Sequence, residues 1–149
     1  MDEIRTERKK EGRILALDIG RKRIGLAVSD PLGLTAQGLG VLERKGREAD
    51  LAYLLEVARE YEVQEILVGL PRHMDGRLGA QAEEILDLAR ALGEALGAPV
   101  ATWDERLSTK EAERVLIAAD MSRRRRRQVV DKLAAVLILQ AYLDASKQL

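Results

Sequence analysis

Residues 13–145 of this 149-residue chain read as one α/β domain, a mixed sheet with helices on its faces. Two apolar runs, Arg13–Ile19 and Arg23–Ser29, are joined by a turn so short that it implies an antiparallel hairpin. A weaker third strand extends that hairpin into a meander. Helix and strand patterns then alternate to the end of the chain, as they do around a partly parallel sheet.

The first strand puts Ile14, Ala16 and Asp18 on one face by its two-residue alternation. Gly20-Arg21-Lys22 makes the turn, and Pro31-Leu32-Gly33 ends the second strand. The third strand spans about residues 38–44. Asp50 is the expected N-cap of a helix reaching Tyr61, with Leu51, Leu54, Leu55 and Ala58 as its buried stripe. Glu65–Gly69 is a short solid apolar run, as in a strand covered on both faces. A loop over 72–79 carries the turn dipeptide Asp75-Gly76. The helix 80–96 follows, with apolar residues at 82, 85, 86, 89, 92 and 96, and Gly97 stops it. A fifth strand, 99–103, runs into Asp104-Glu105-Arg106. Ser108 and Glu111 form a capping box for a helix to about Met121. Five arginines precede a last helix that starts at Ser122 or Gln128 and ends at Asp144. Residues 1–12 read as a mobile charged tail and 146–149 as a short C-terminal one.

Basic and acidic residues balance at 25 each, so any affinity for nucleic acid has to come from a local basic patch. The absence of cysteine excludes disulfides, thiolate catalysis and zinc–thiolate sites. No apolar run approaches the roughly 20 residues that span a bilayer. The charged start, MDEIRTERKKEGR, has no signal-peptide core, so the expected location is the cytoplasm, with no membrane partner.

Acids stand at three places where burial or crowding makes them conspicuous. Asp18 is embedded in an apolar strand, where an anion is costly unless a cation sits against it. Asp104 and Glu105 directly follow the fifth strand. Asp131 lies on the last helix, with Ala134 and Ala135 at the i+3 and i+4 positions. Those small residues would let the helix lie close to the sheet. With the fourth strand parallel between the first and fifth, all these carboxylates converge on one sheet end, where sites usually form. Hard divalent cations, Mg²⁺ or Mn²⁺, one ion or two, would compensate the charge and support phosphodiester hydrolysis. Each acid also has a structural reading: Asp18 paired with Arg21 or Arg23, Asp104 and Glu105 as solvated acids before a helix, and Asp131 in an exposed ion pair with Arg127 or Lys132.

Cations flank these acids. Arg21, Lys22 and Arg23 follow Asp18, and Arg106 follows Glu105. They suit a phosphate clamp, or else ion pairs that neutralise the cluster. Arg123, Arg124, Arg125, Arg126 and Arg127 form a candidate polyphosphate track, or a solvated face. Arg72 and His73, the only histidine, lie in the loop after the fourth strand, where the histidine reads either as a substrate contact or as an ordinary surface residue. Trp103 reads as core rather than as a base-stacking platform.

Four blocks, LALDIGRKRIGLAVSDPLG (15–33), ILVGLPRHMDGRLG (66–79), WDERLSTKEAE (103–113) and VVDKLAAVLILQAYL (129–143), resemble the YqgF/RuvX family. These are bacterial proteins similar to Holliday-junction resolvases and described as pre-16S rRNA nucleases. The resemblance implies an RNase H-like fold: a five-stranded mixed sheet of order 3-2-1-4-5, its first three strands an antiparallel meander. It also implies metal-dependent phosphodiester cleavage. By position Asp18 matches the first-strand aspartate and Asp131 the last-helix aspartate of the acidic site. Related resolvases draw an acid from the fourth strand. Here that strand ends in Val68-Gly69-Leu70-Pro71 and offers none, so Glu105 is the favoured substitute, with Asp104 beside it.

The leading expectation is an endonuclease on structured RNA, trimming the 5′ end of pre-16S rRNA as a monomer or homodimer. The runner-up is a dimeric resolvase of branched DNA. An actin-like ATP-binding fold would need two such domains, and the chain has room for one. A non-catalytic nucleic-acid-binding module remains the reading from another class.

Overall fold

The computed structural model of the protein describes residues 12–71, 75–105 and 123–146, and side chains throughout these except at 123–132. Five strands form one sheet: β1 (Arg13–Ile19), β2 (Arg23–Ser29), β3 (Ala36–Glu43), β4 (Val63–Leu70) and β5 (Val100–Asp104). Three helices accompany them among the described residues: α1 (Arg47–Glu60), α2 (Ala80–Leu96) and α3 (Arg123–Ser146). The sheet order is β3-β2-β1-β4-β5. β1, β2 and β3 pair antiparallel, whereas β4 lies parallel to both β1 and β5. This is the predicted mixed sheet. All but the last residue of the expected N-terminal tail, 1–12, and the capping-box helix, 108–121, lie outside the described residues. No helix among those described is long and apolar enough to cross a membrane.

Strand alternation sorts the core into two layers. Leu15, Leu17 and Ile19 of β1, with Ile66, Val68 and Leu70 of β4, face α1 and α2. Ile14 and Ala16 of β1, with Ala27 and Leu67, face α3 through Ala135, Ile138, Leu139 and Leu143. Ala134 and Ala135 are fully buried, and with only a methyl group each they let the α3 backbone settle onto the sheet. A hydrogen bond from the Tyr142 hydroxyl to Glu65, near the start of β4, fixes the helix direction (2.6 Å). The N-terminal part of α3 therefore points toward the carboxy ends of β1 and β4.

Several boundaries differ from the pattern-based ones. β3 starts at Ala36, because Ser29 pairs with it and the β2–β3 ladder runs the full length of β2. Asp50 is not the N-cap of α1. Gly46 holds that place, and the Asp50 carboxylate instead accepts from Arg44 Nε (2.9 Å) and the Lys45 amide (3.0 Å). α3 begins at Arg123, so the arginine run lies inside the helix rather than ahead of it. Gly97 does end α2 in the left-handed conformation (φ 77°), donating to the Gly93 carbonyl.

Asp30, at the other end of β2 from Asp18, organises the loop into β3. Its carboxylate accepts from the amides of Thr35 (2.6 Å), Leu34 (2.7 Å) and Leu32 (3.1 Å) and from the Thr35 hydroxyl (3.3 Å). The Thr35 amide lowers its pKa from the usual 3.8. Partial burial opposes this, and the other donors add to the lowering. A carboxyl depressed in the folded state stabilises fully above its unfolded pKa, and that contribution fades as pH falls through the folded value. Asp30→Asn should therefore lower the melting temperature at pH 7 and lose less on acidification between about pH 5 and pH 2. Melting curves that fall in parallel with those of wild type would contradict this role.

Candidate functional site at the strand ends

Asp18 is the penultimate residue of β1 and lies on the α3 face with Ile14 and Ala16. Its neighbours in β1 are buried, while Asp18 itself is half-buried at the rim of the sheet. Both adjacent strands carry glycine at its level. Gly25 of β2 is directly opposite. On β4, where Leu17 pairs with Val68, the next residue is Gly69, which in turn pairs with Trp103 of β5. Neither neighbouring strand thus presents a side chain of its own at the level of Asp18, which leaves a gap there.

Glu105 uses that gap. A Cβ placed on Gly69 would lie 2.9 Å from Glu105 Cγ and 3.1 Å from its Oε1. The glutamate side chain therefore folds back from the end of β5 and lies across Gly69. That puts it one strand spacing, about 4.8 Å, from the row position of Asp18. The same Cβ would lie 2.8 Å from Ile138 Cδ1, so α3 closes over Gly69 as well. Asp104 goes the other way. Ala101 and Trp103 belong to the α3 layer, so alternation turns Asp104 toward the α1 and α2 side.

Residue 131 sits on α3 seven positions before Ile138, about 10.5 Å along the axis toward the strand ends. Its spacing to Ala134, Ala135 and Ile138 puts all four positions on one stripe of the helix. The side chains of Asp131 and of Arg123–Arg127 lie outside the described ones, as do residues Arg72, His73 and Arg106 altogether. Among the described residues there is no group of three His, Cys, Asp or Glu able to hold a metal ion. Asp18 and Glu105 both lie at this rim, on the α3 side of the sheet.

The basic turn after Asp18 is tight, with the Gly20 amide donating to the Arg23 carbonyl (2.8 Å). Arg21 and Lys22 are exposed and Arg23 is half-buried. Trp103 is half-buried and meets the Tyr142 ring edge-on, with centroids 6.4 Å apart, which agrees with a core role. Two features had not been read from the sequence. The glycines at 25 and 69 carried a signal, since glycine inside a strand marks a close approach. The Arg44–Asp50 pair, which reaches the basic turn, carried none in its spacing.

A family profile described as "RuvX: Holliday junction resolvase" matches residues 12–145. A protein of Syntrophomonas wolfei named "Putative pre-16S rRNA nuclease" is 58% identical over 132 residues, covering 89% of this chain and 94% of its own. A protein of Moorella thermoacetica with the same name is 58% identical over the same shares of both chains. Among solved structures, the chain is similar to "T. thermophilus RuvC in complex with Holliday junction substrate" (TM-score 0.60, 16% identity, 92% of this chain and 96% of that one). At that identity the likeness speaks for the fold. With the profile spanning nearly the whole chain and relatives more than half identical to it, this protein belongs to the RuvX family, nucleases on the RNase H-like fold.

Proposed function

We propose that this chain is a divalent-metal-dependent endonuclease that trims the 5′ end of pre-16S rRNA, with Asp18, Glu105 and Asp131 as its acidic centre. The observation that carries the reading is the Glu105 side chain lying across Gly69, beside the row position of Asp18. Oxygen donors without a thiolate suit a hard cation, Mg²⁺ or Mn²⁺, better than a soft one. Gly69 is the cradle for the Glu105 carboxylate, because a Cβ there would meet the glutamate side chain and push it away from the Asp18 row. A bound divalent cation supplies Lewis acidity and a more acidic water. Asp18 and Glu105 hold the site's negative charge at a fixed spacing. Asp131 joins them from α3, and Asp104 stays outside the set.

The remaining residues bind the substrate. Arg21 and Lys22, exposed just beyond Asp18, neutralise phosphates on either side of the scissile bond, with Arg23 behind them. Arg72, His73, Arg106 and the arginines at the start of α3 extend that basic surface along the RNA. The names of the relatives support a ribosomal RNA precursor as substrate; the family's description keeps a DNA junction in view as the competing one.

Cleavage should be assayed with a pre-16S rRNA 5′ leader and with a four-way DNA junction, with Mg²⁺ or Mn²⁺ and after chelation. Wild type should cut the RNA at a defined site, only with metal. Asp18→Asn should cut more than about 100-fold more slowly, since even outer partners of metal ligands cost 10- to 100-fold. Symmetric cutting of the junction with the RNA intact would transfer the function to branched DNA. Equal cutting by Asp18→Asn would remove the nuclease centre from this site.

The two candidate acids after β5 separate in the same assay. Glu105→Gln should fall with Asp18→Asn, whereas Asp104→Asn should stay within about 2-fold of wild type, the usual range for a substitution away from the machinery. Gly69→Ala should displace the Glu105 carboxylate and reduce turnover at least about 10-fold, at a stability cost of about 1–3 kcal/mol. Full activity in Gly69→Ala would show that the cradle is not needed.

A further inference from the structure

We propose that Arg44 and Asp50 form a positioning device for the basic turn, setting where Arg21 and Lys22 meet the substrate. The inference rests on the reading of that turn as a phosphate clamp. Arg44 follows β3 and holds two of the turn's carbonyls: its amide donates to the Lys22 carbonyl (2.9 Å) and its Nη1 to the Gly20 carbonyl (2.9 Å). Its Nε donates to Asp50 Oδ2 (2.9 Å), and Asp50 Oδ1 accepts from the Lys45 amide (3.0 Å). Asp50 sits in the first turn of α1, where a helix favours negative charge, and is only 1% exposed.

Stability alone is a poor reason for such a pair. Moving a carboxylate and a guanidinium out of water costs much of what their attraction returns, and apolar replacements often serve as well. What the pair does provide is direction. The planar guanidinium is fixed on one edge by Asp50 and so presents Nη1 to Gly20 in a single orientation. Gly20 lies two residues beyond Asp18, and the turn is closed by its amide on the Arg23 carbonyl. The device therefore ties the exposed cations Arg21 and Lys22 to a buried anchor on α1. Arg44 need not touch the substrate to matter, because a clamp that moves by an ångström loses its phosphate.

The test compares Asp50→Asn and the milder Arg44→Lys with the clamp variant Arg21→Ala/Lys22→Ala. Cleavage of the pre-16S leader is measured over substrate and salt concentration, with thermal melts recorded in parallel. Asp50→Asn and Arg44→Lys should raise KM about 5-fold and leave kcat within about 2-fold. Both should also reduce the slope of log(kcat/KM) against log salt by about one, as when one phosphate contact is lost. A merely structural pair would lower the melting temperature and leave KM and salt slope alone below it. That result, alongside a weakened clamp variant, overturns the positioning role only. An unchanged KM and slope in Arg21→Ala/Lys22→Ala would instead overturn the clamp and this inference with it.

Discussion

At the carboxy end of β4 the sheet has to carry a helix on one face and still leave room for an anion beside Asp18; Gly69 allows both. Ile138 descends onto it from α3, and Glu105 folds across it from β5. Any side chain there would have to displace one or both. A missing Cβ thereby lets α3 and the end of β5 both close on the β4 residue beside Asp18. Gly25 does the same on the other flank of Asp18, where β2 would otherwise present a side chain.

Such an arrangement sets an electrostatic demand. Carboxylates gathered at one rim repel one another, and the more so the less solvent screens them. The turn that follows Asp18 carries cations, and the Arg44–Asp50 pair ties that turn to α1.

Much of this was readable in the sequence, because the elements obey simple periods. The hairpin β1–β2, the span of α2 and the placement of Asp18 on the Ile14–Ala16 face follow from alternation, helical stripes and a terminal glycine. Asp50 misled because an aspartate before an apolar stripe looks like an N-cap, while its actual partner, Arg44, belongs to the preceding segment and is found only by folding. The choice between Asp104 and Glu105 was open for a similar reason. They are neighbours in sequence, and only the register of β5 against Gly69 turns one toward Asp18 and the other away.

Diffraction from crystals soaked in Mn²⁺, recorded so that the metal's anomalous signal locates it, tests the central claim most directly. The account predicts a peak beside Asp18 at the carboxy ends of β1 and β4, with oxygens of Asp18 and Glu105 at about 2.1–2.3 Å and Asp131 completing the protein ligands. A peak ligated by Asp104, or a fully occupied manganese site away from Gly69 and Asp18, would contradict it.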